Sequence, residues 1–180
     1  MADHELYQRV YSLFDEATPI PGDCGDLCGS ICCSSPDIPE EEMYIYLLPG
    51  EMEYLKEMGA GLEFMRLPAK FHNFPRSWGK YVYTAKCTGP GKCPRRFRPI
   101  QCRTFPLEPH LDEDGKLGLI YCDVDLPYTC PLISEKMKLS GTYVSSVLEA
   151  WELLIGDSLI RDLVELDSRG RKSYERYVLK

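Results

Sequence analysis

The sequence predicts a single small α+β domain with helical termini, an irregular cysteine-rich, metal-stapled centre and a few short antiparallel strands. Three observations carry that prediction. Apolar residues recur at helical spacing near both ends of the chain, short alternating runs bounded by turn residues lie between them, and nine cysteines fall in the same interior. With 180 residues, 44% of them hydrophobic and 27% charged, the chain can bury a core and is too apolar to be disordered. No run approaches the roughly 18 apolar residues of a membrane span, so no membrane partner is expected.

Taken in order, residues 3–17 read as an amphipathic helix with Leu6, Val10, Leu13 and Phe14 on one face and Asp3 as its N-cap. Thr18 to Gly22 ends it, and the Gly-rich stretch from Cys24 to Cys33 reads as turns able to wrap an ion. Pro49 to Met58 is a second helix, stopped by Gly59 and Gly61. Strands are expected at 62–67 and 80–85, and a hairpin at 107–111 and 116–121 around Asp112-Glu113-Asp114-Gly115. A short helix follows at 131–139. A stronger one runs from 142 to 155 behind Ser140, and another, capped by Asp157, runs to Leu166. The polar, basic residues 169–180 are expected to fray or to dock weakly. No linker or repeat divides the chain. One domain covers 1–180, with a cysteine core at about 24–131 and a helical segment at about 140–168.

The residues Met1-Ala2-Asp3-His4-Glu5 are acidic and carry no apolar secretory segment, which points to the cytoplasm. A reducing compartment disfavours disulfides, so thiolate–metal chemistry is the expected use of the cysteines. They form three groups: Cys24-x3-Cys28-x3-Cys32-Cys33, Cys87-x5-Cys93-Pro94-x7-Cys102, and Cys122-x7-Cys130-Pro131. Four thiolates suit tetrahedral zinc, and four also suit an iron–sulfur cluster. Neither the spacing of ferredoxins nor that of zinc ribbons is present.

Cys28-Gly29-Ser30-Ile31-Cys32-Cys33 is similar to the Cys-Gly-x-Cys-Cys core of the YkgJ-type cysteine-cluster family, regarded as zinc- or iron-chelating. Arg98-Pro99-Ile100-Gln101-Cys102-Arg103-Thr104-Phe105-Pro106 resembles that family's Arg-Pro-x-x-Cys-Arg-x-Phe-Pro signature, and Cys130-Pro131 its final Cys-Pro. The resemblance spans roughly 24–131. It departs from the family in the spacing around Cys28, one residue longer than usual, and in the stretch after Cys93. It implies metal chelation by up to eight thiolates: Cys24, Cys28, Cys32, Cys33, Cys87, Cys93, Cys102 and Cys130. Cys122 has no counterpart and ranks last as a ligand. The resemblance supplies no reaction, so whether the protein is an enzyme stays open. Zinc is the expected metal, with iron or an iron–sulfur cluster as the other candidates, the latter making the protein an oxidoreductase or electron carrier. Structural zinc contributes on the order of 10–16 kcal/mol in small peptides, so metal removal is expected to unfold the centre.

Charge is distributed unevenly. The net charge is −7, yet residues 64–107 contain no Asp or Glu and ten basic residues, so the remaining 11 basic and 28 acidic residues carry −17. Arg98 and Arg103 are the cations best placed to offset thiolate charge on a metal. The basic segment 66–103 also offers an anion- or RNA-binding module, or a protein contact, as a further alternative. Tyr81 and Tyr83 alternate as a strand would and read as core, so nucleic acid is not the expected partner. His4 and His110 read as exposed and His72 as a packed, hydrogen-bonded residue rather than a ligand. Asp123 and Asp125 read as turn formers.

Overall fold

The computed structural model describes residues 4–171 apart from 88–92, together with 176–177. It is an α+β fold with two three-stranded antiparallel sheets. The first helix, α1 (His4–Ser12), buries Tyr7, Val10 and Tyr11. It ends earlier than the periodicity predicts. The Ser12 hydroxyl donates back to the Arg9 carbonyl, and Leu13 and Phe14 continue only as tight turns, although Phe14 and Ala17 remain buried. The expected cap Asp3 lies outside the described residues.

The first cysteine group is not wholly irregular. It folds as a one-turn helix α2 (Gly25–Cys28), then a 3-10 turn over Ile31–Cys33, with Gly29 and Ser30 left-handed between them at φ 64° and 56°. The alternation missed β1 (Tyr44–Tyr46), which is too short to show a period. Helix α3 (Glu51–Glu57) starts after left-handed Gly50 and stops at left-handed Gly59, as its flanking glycines predict.

Strands β2 (Phe64–Pro68) and β3 (Tyr81–Lys86) pair antiparallel, and β1 adds to the other edge of β3, giving the order β1-β3-β2. Registers run Tyr46 opposite Thr84, Arg66 opposite Tyr83 and Pro68 opposite Tyr81. A short helix α4 (Ile100–Thr104) follows; its five residues span too few turns to show periodicity. The predicted hairpin is present as β4 (Leu107–Leu111) and β5 (Leu117–Tyr121). Beyond α5 (Pro131–Ser134) come α6 (Gly141–Leu154) and α7 (Ser158–Gly170), the latter capped by the Asp157 carboxylate accepting from the Leu159 and Ile160 amides. A final β6 (Arg176–Tyr177) pairs with β5.

Of the tail, residues 172–175 and 178–180 lie outside the described residues, and Arg171 is docked. The Arg171 side chain is 8% exposed and its guanidinium reaches Glu108 at 2.6 Å and Asp123 at 3.3 Å. Hence Asp123 anchors the end of α7 rather than merely forming a turn. His110, expected at the surface, is buried beside α7, whose Ser168 hydroxyl accepts from the Leu111 amide. The hydrophobic core joins α1, α3, α6 and α7 to the inner face of the second sheet through residues such as Phe14, Leu55, Leu107, Val147, Leu154 and Ile160. Most of the cysteines stand to one side of it.

Candidate metal centre

Four of the eight predicted ligands meet at one place. Cys33 ends the 3-10 turn after α2, Cys87 follows β3, Cys93 precedes the turn at Arg95–Phe97, and Cys102 lies on α4. All four line a cavity of about 40 Å³, walled on its apolar side by Ile45, Leu62 and Ala85 and on its polar side by Arg98. Local backbone bonds hold the approach. The Cys87 amide donates to the Met43 carbonyl at 2.8 Å, and the Cys33 amide donates to the Ser30 carbonyl at 2.8 Å.

Cys102 is placed by a longer chain of contacts. The Glu51 carboxylate, wholly buried, accepts from the Ile100 amide at the start of α4 at 2.6 Å, from the Leu48 amide at 2.9 Å and from the Tyr11 hydroxyl at 2.9 Å. Burial pushes Glu51 toward protonation, while these donors and the nearby Arg103 oppose that shift. Nothing in the sequence distinguishes this glutamate from the acidic residues that commonly open helices.

Electrostatics set the thiols apart. A contact of 3.8 Å joins Cys32 Sγ to Cys33 Sγ. Accepting from the Cys32 thiol brings Cys33 down to about 7, with burial opposing and Arg98 assisting, whereas the same contact pushes Cys32 up. Burial raises Cys87 to about 11, with Cys33 and Cys93 adding to the shift. Cys102 is also raised by desolvation and then by Cys87, Cys33 and Cys93, although the residue keeps surface open to solvent. Buried thiols crowded against one another resist ionisation singly, and a cation between them removes that resistance.

Arg98 meets its expected position. It lines the cavity and pairs with Asp23 at 2.8 Å, tying the first cysteine group to the second. Arg103 does not. Its guanidinium is buried over the Tyr11 ring at 4.4 Å and bonds the Arg98 carbonyl through Nε, so it braces the core instead of facing the thiols. The basic segment therefore splits, with Arg66, Lys70, Arg76 and Lys80 lying on the first sheet and its adjoining turns.

The other predicted ligands form a looser set. Cys24 and Cys28 bracket α2, and Cys130 precedes α5. Burial raises the Cys24 thiol, and Cys130 and Cys28 add smaller contributions. Cys122 is buried after β5, pushed up to about 12 by burial and then by Glu108, and does not line the cavity. His72 bonds the Tyr46 hydroxyl at 2.7 Å and is not part of the cysteine cavity.

All nine cysteines are free thiols. Among the described residues, no three Cys, His, Asp or Glu side chains stand together in a coordinating arrangement as they are placed. The donor chemistry nevertheless fits a thiophilic ion: four thiols from four segments on one small cavity, with a guanidinium beside them. No helix among the described residues is long and apolar enough to cross a membrane. No family model, curated protein or solved structure matches the chain.

Proposed function

We propose that the protein is a metal-chelating cysteine-cluster protein whose principal site is Cys33, Cys87, Cys93 and Cys102. The observation that carries this reading is their convergence on a single cavity from positions up to 69 residues apart in sequence. The resemblance to the YkgJ-type family supports it through two motifs, one supplying Cys33 and the other Cys102. Zinc suits the site best. Four thiolates are a usual donor set for tetrahedral zinc. Binding requires the four side chains to close on the ion. The ion, once held, would staple three loops to α4; Arg98 would offset part of the −2 charge left by four thiolates on a divalent cation. Cys32 adjoins this site through Cys33, and Cys24, Cys28 and Cys130 are a second group of donors. A chelating role for so many thiols suits a reducing compartment such as the cytoplasm.

Elemental analysis of protein purified anaerobically tests the reading. At least one zinc per chain is expected, and the double variant Cys87→Ser/Cys93→Ser should lose it while wild-type secondary structure persists by circular dichroism. Less than one metal per chain, with nine thiols titrating freely, overturns the proposal. Brown protein with acid-labile sulfide would instead place an iron–sulfur cluster on these residues.

A further inference from the structure

One end of the first sheet turns Tyr81 and Tyr83 outward, contrary to the expectation that they are core. Val82 and Thr84 point inward and are buried, while Tyr81 and Tyr83 are 44% and 39% exposed. Their partners on β2, Pro68 and Arg66, are exposed on the same face. Phe71, at the next turn, is 71% exposed. An open groove of about 710 Å³ adjoins this face, with Lys70, Arg76, Lys80 and Tyr81 among its lining residues. Its wall is firmly built. Phe74 stacks on Trp78 with ring centroids 4.9 Å apart, and the Trp78 indole N–H donates to the Leu159 carbonyl at 2.8 Å.

The exposed rings are already in contact with cations. The Arg66 guanidinium lies 4.3 Å from the Tyr81 ring centre, and the Lys70 ammonium 4.6 Å from that of Phe71. Among the described residues, none of Arg66, Lys70, Arg76 and Lys80 pairs with a carboxylate, in a chain that holds 28 acidic side chains. Free cations beside accessible ring faces suit a ligand with both anionic and flat apolar parts. A single-stranded polynucleotide has them at regular intervals, phosphates for the cations and unpaired bases for Tyr81, Tyr83 and Phe71. An acidic peptide would use the cations and leave the rings idle. A duplex keeps its base faces stacked internally.

From this geometry we infer that the outer face of the first sheet and its adjoining groove form a binding site for a short single-stranded nucleic acid. The site is separate from the cysteine cavity and does not depend on metal chelation. The overall charge of −7 does not oppose it, because the field a ligand meets is that of the local acid-free surface.

Fluorescence anisotropy with labelled decamers of uridine and of deoxythymidine tests it on the full chain as purified. Saturable binding below about 100 μM at 50 mM salt is expected, with log affinity falling against log salt at a slope near −2 for about three neutralised phosphates. Lys70→Glu/Arg76→Glu/Lys80→Glu should abolish binding. Phe71→Ala/Tyr81→Ala should weaken it at least about fivefold with little change in salt slope. Unchanged metal content and circular dichroism confirm that both variants are folded. Tighter binding of the uridine decamer would assign RNA, and equal binding would assign single strands of either sugar. The inference is overturned if neither decamer binds, if the charge-reversal variant stays within twofold of wild type, or if a poly-glutamate peptide competes equally and the aromatic variant is unaffected.

Discussion

Cys33 shows how much one neighbour changes a side chain. An ordinary thiol is almost wholly protonated at neutral pH, but Cys33 accepts from Cys32, has Arg98 nearby and is brought to about 7. Its thiolate is therefore more populated at neutral pH than that of Cys87, which burial raises to about 11. In metal-free protein, iodoacetamide should therefore label Cys33 first, with a rate that rises with pH and levels off at a lower pH than for the other cavity cysteines. Cys32→Ser should shift that levelling-off upward in pH, and bound zinc should suppress the labelling; peptide mapping by mass spectrometry reads all three. Adjacent cysteines were visible in the sequence, and they raise the expectation of metal binding. Which of the pair carries the thiolate was not, because that depends on a rotamer-level contact and on an arginine 65 positions away.

At the scale of elements, α4 is short and lacks the length to sustain itself, so its placement depends on neighbours. The buried Glu51 carboxylate connects three of them: α1 through Tyr11, the entry to α3 through Leu48, and the first turn of α4 through Ile100. Glu51→Ala would leave all three donors without that acceptor. It should destabilise the fold by about 3 kcal/mol or more in urea unfolding, with Glu51→Gln milder because one oxygen remains. The alanine variant should also lower zinc occupancy, since Cys102 rides on α4. The strongly periodic elements, α6, α7 and the hairpin, were legible in the sequence because burial on one side dictates their pattern. The three residues of β1 and the five of α4 take their conformation from tertiary contacts, which local sequence does not encode. Tyr81 and Tyr83 illustrate the same gap. Alternation located the strand correctly, but only the packed structure decides which of its two faces is inside.

Across the whole molecule, the apolar core and the cysteine centre are largely separate sources of order. Helices α1, α3, α6 and α7 pack with the second sheet around fully buried side chains such as Tyr7, Phe14, Val147 and Ile160. The first cysteine group contributes no buried side chain, and neither α2 nor the following 3-10 turn has a side-chain cap. Chelation should accordingly loosen the 22–42 segment while the helical core persists, rather than unfold the protein outright. Limited proteolysis after treatment with a zinc chelator should cut first within that segment, with most helical circular dichroism retained; loss of the entire helical signal would show that the core depends on the metal.

Strand β3 serves both proposed sites from one continuous face. Tyr81 and Tyr83 stand at its outer end and Ala85 walls the cysteine cavity at its inner end, with Cys87 just beyond. Side chains on a strand alternate strictly, so the two sites are locked in phase. Removing Thr84 alone would set the tyrosines and the cysteine-bearing end on opposite faces unless a bulge formed between them. A single insertion in this stretch should therefore disturb one site or the other unless it is absorbed as a bulge, a constraint that neither site would impose by itself.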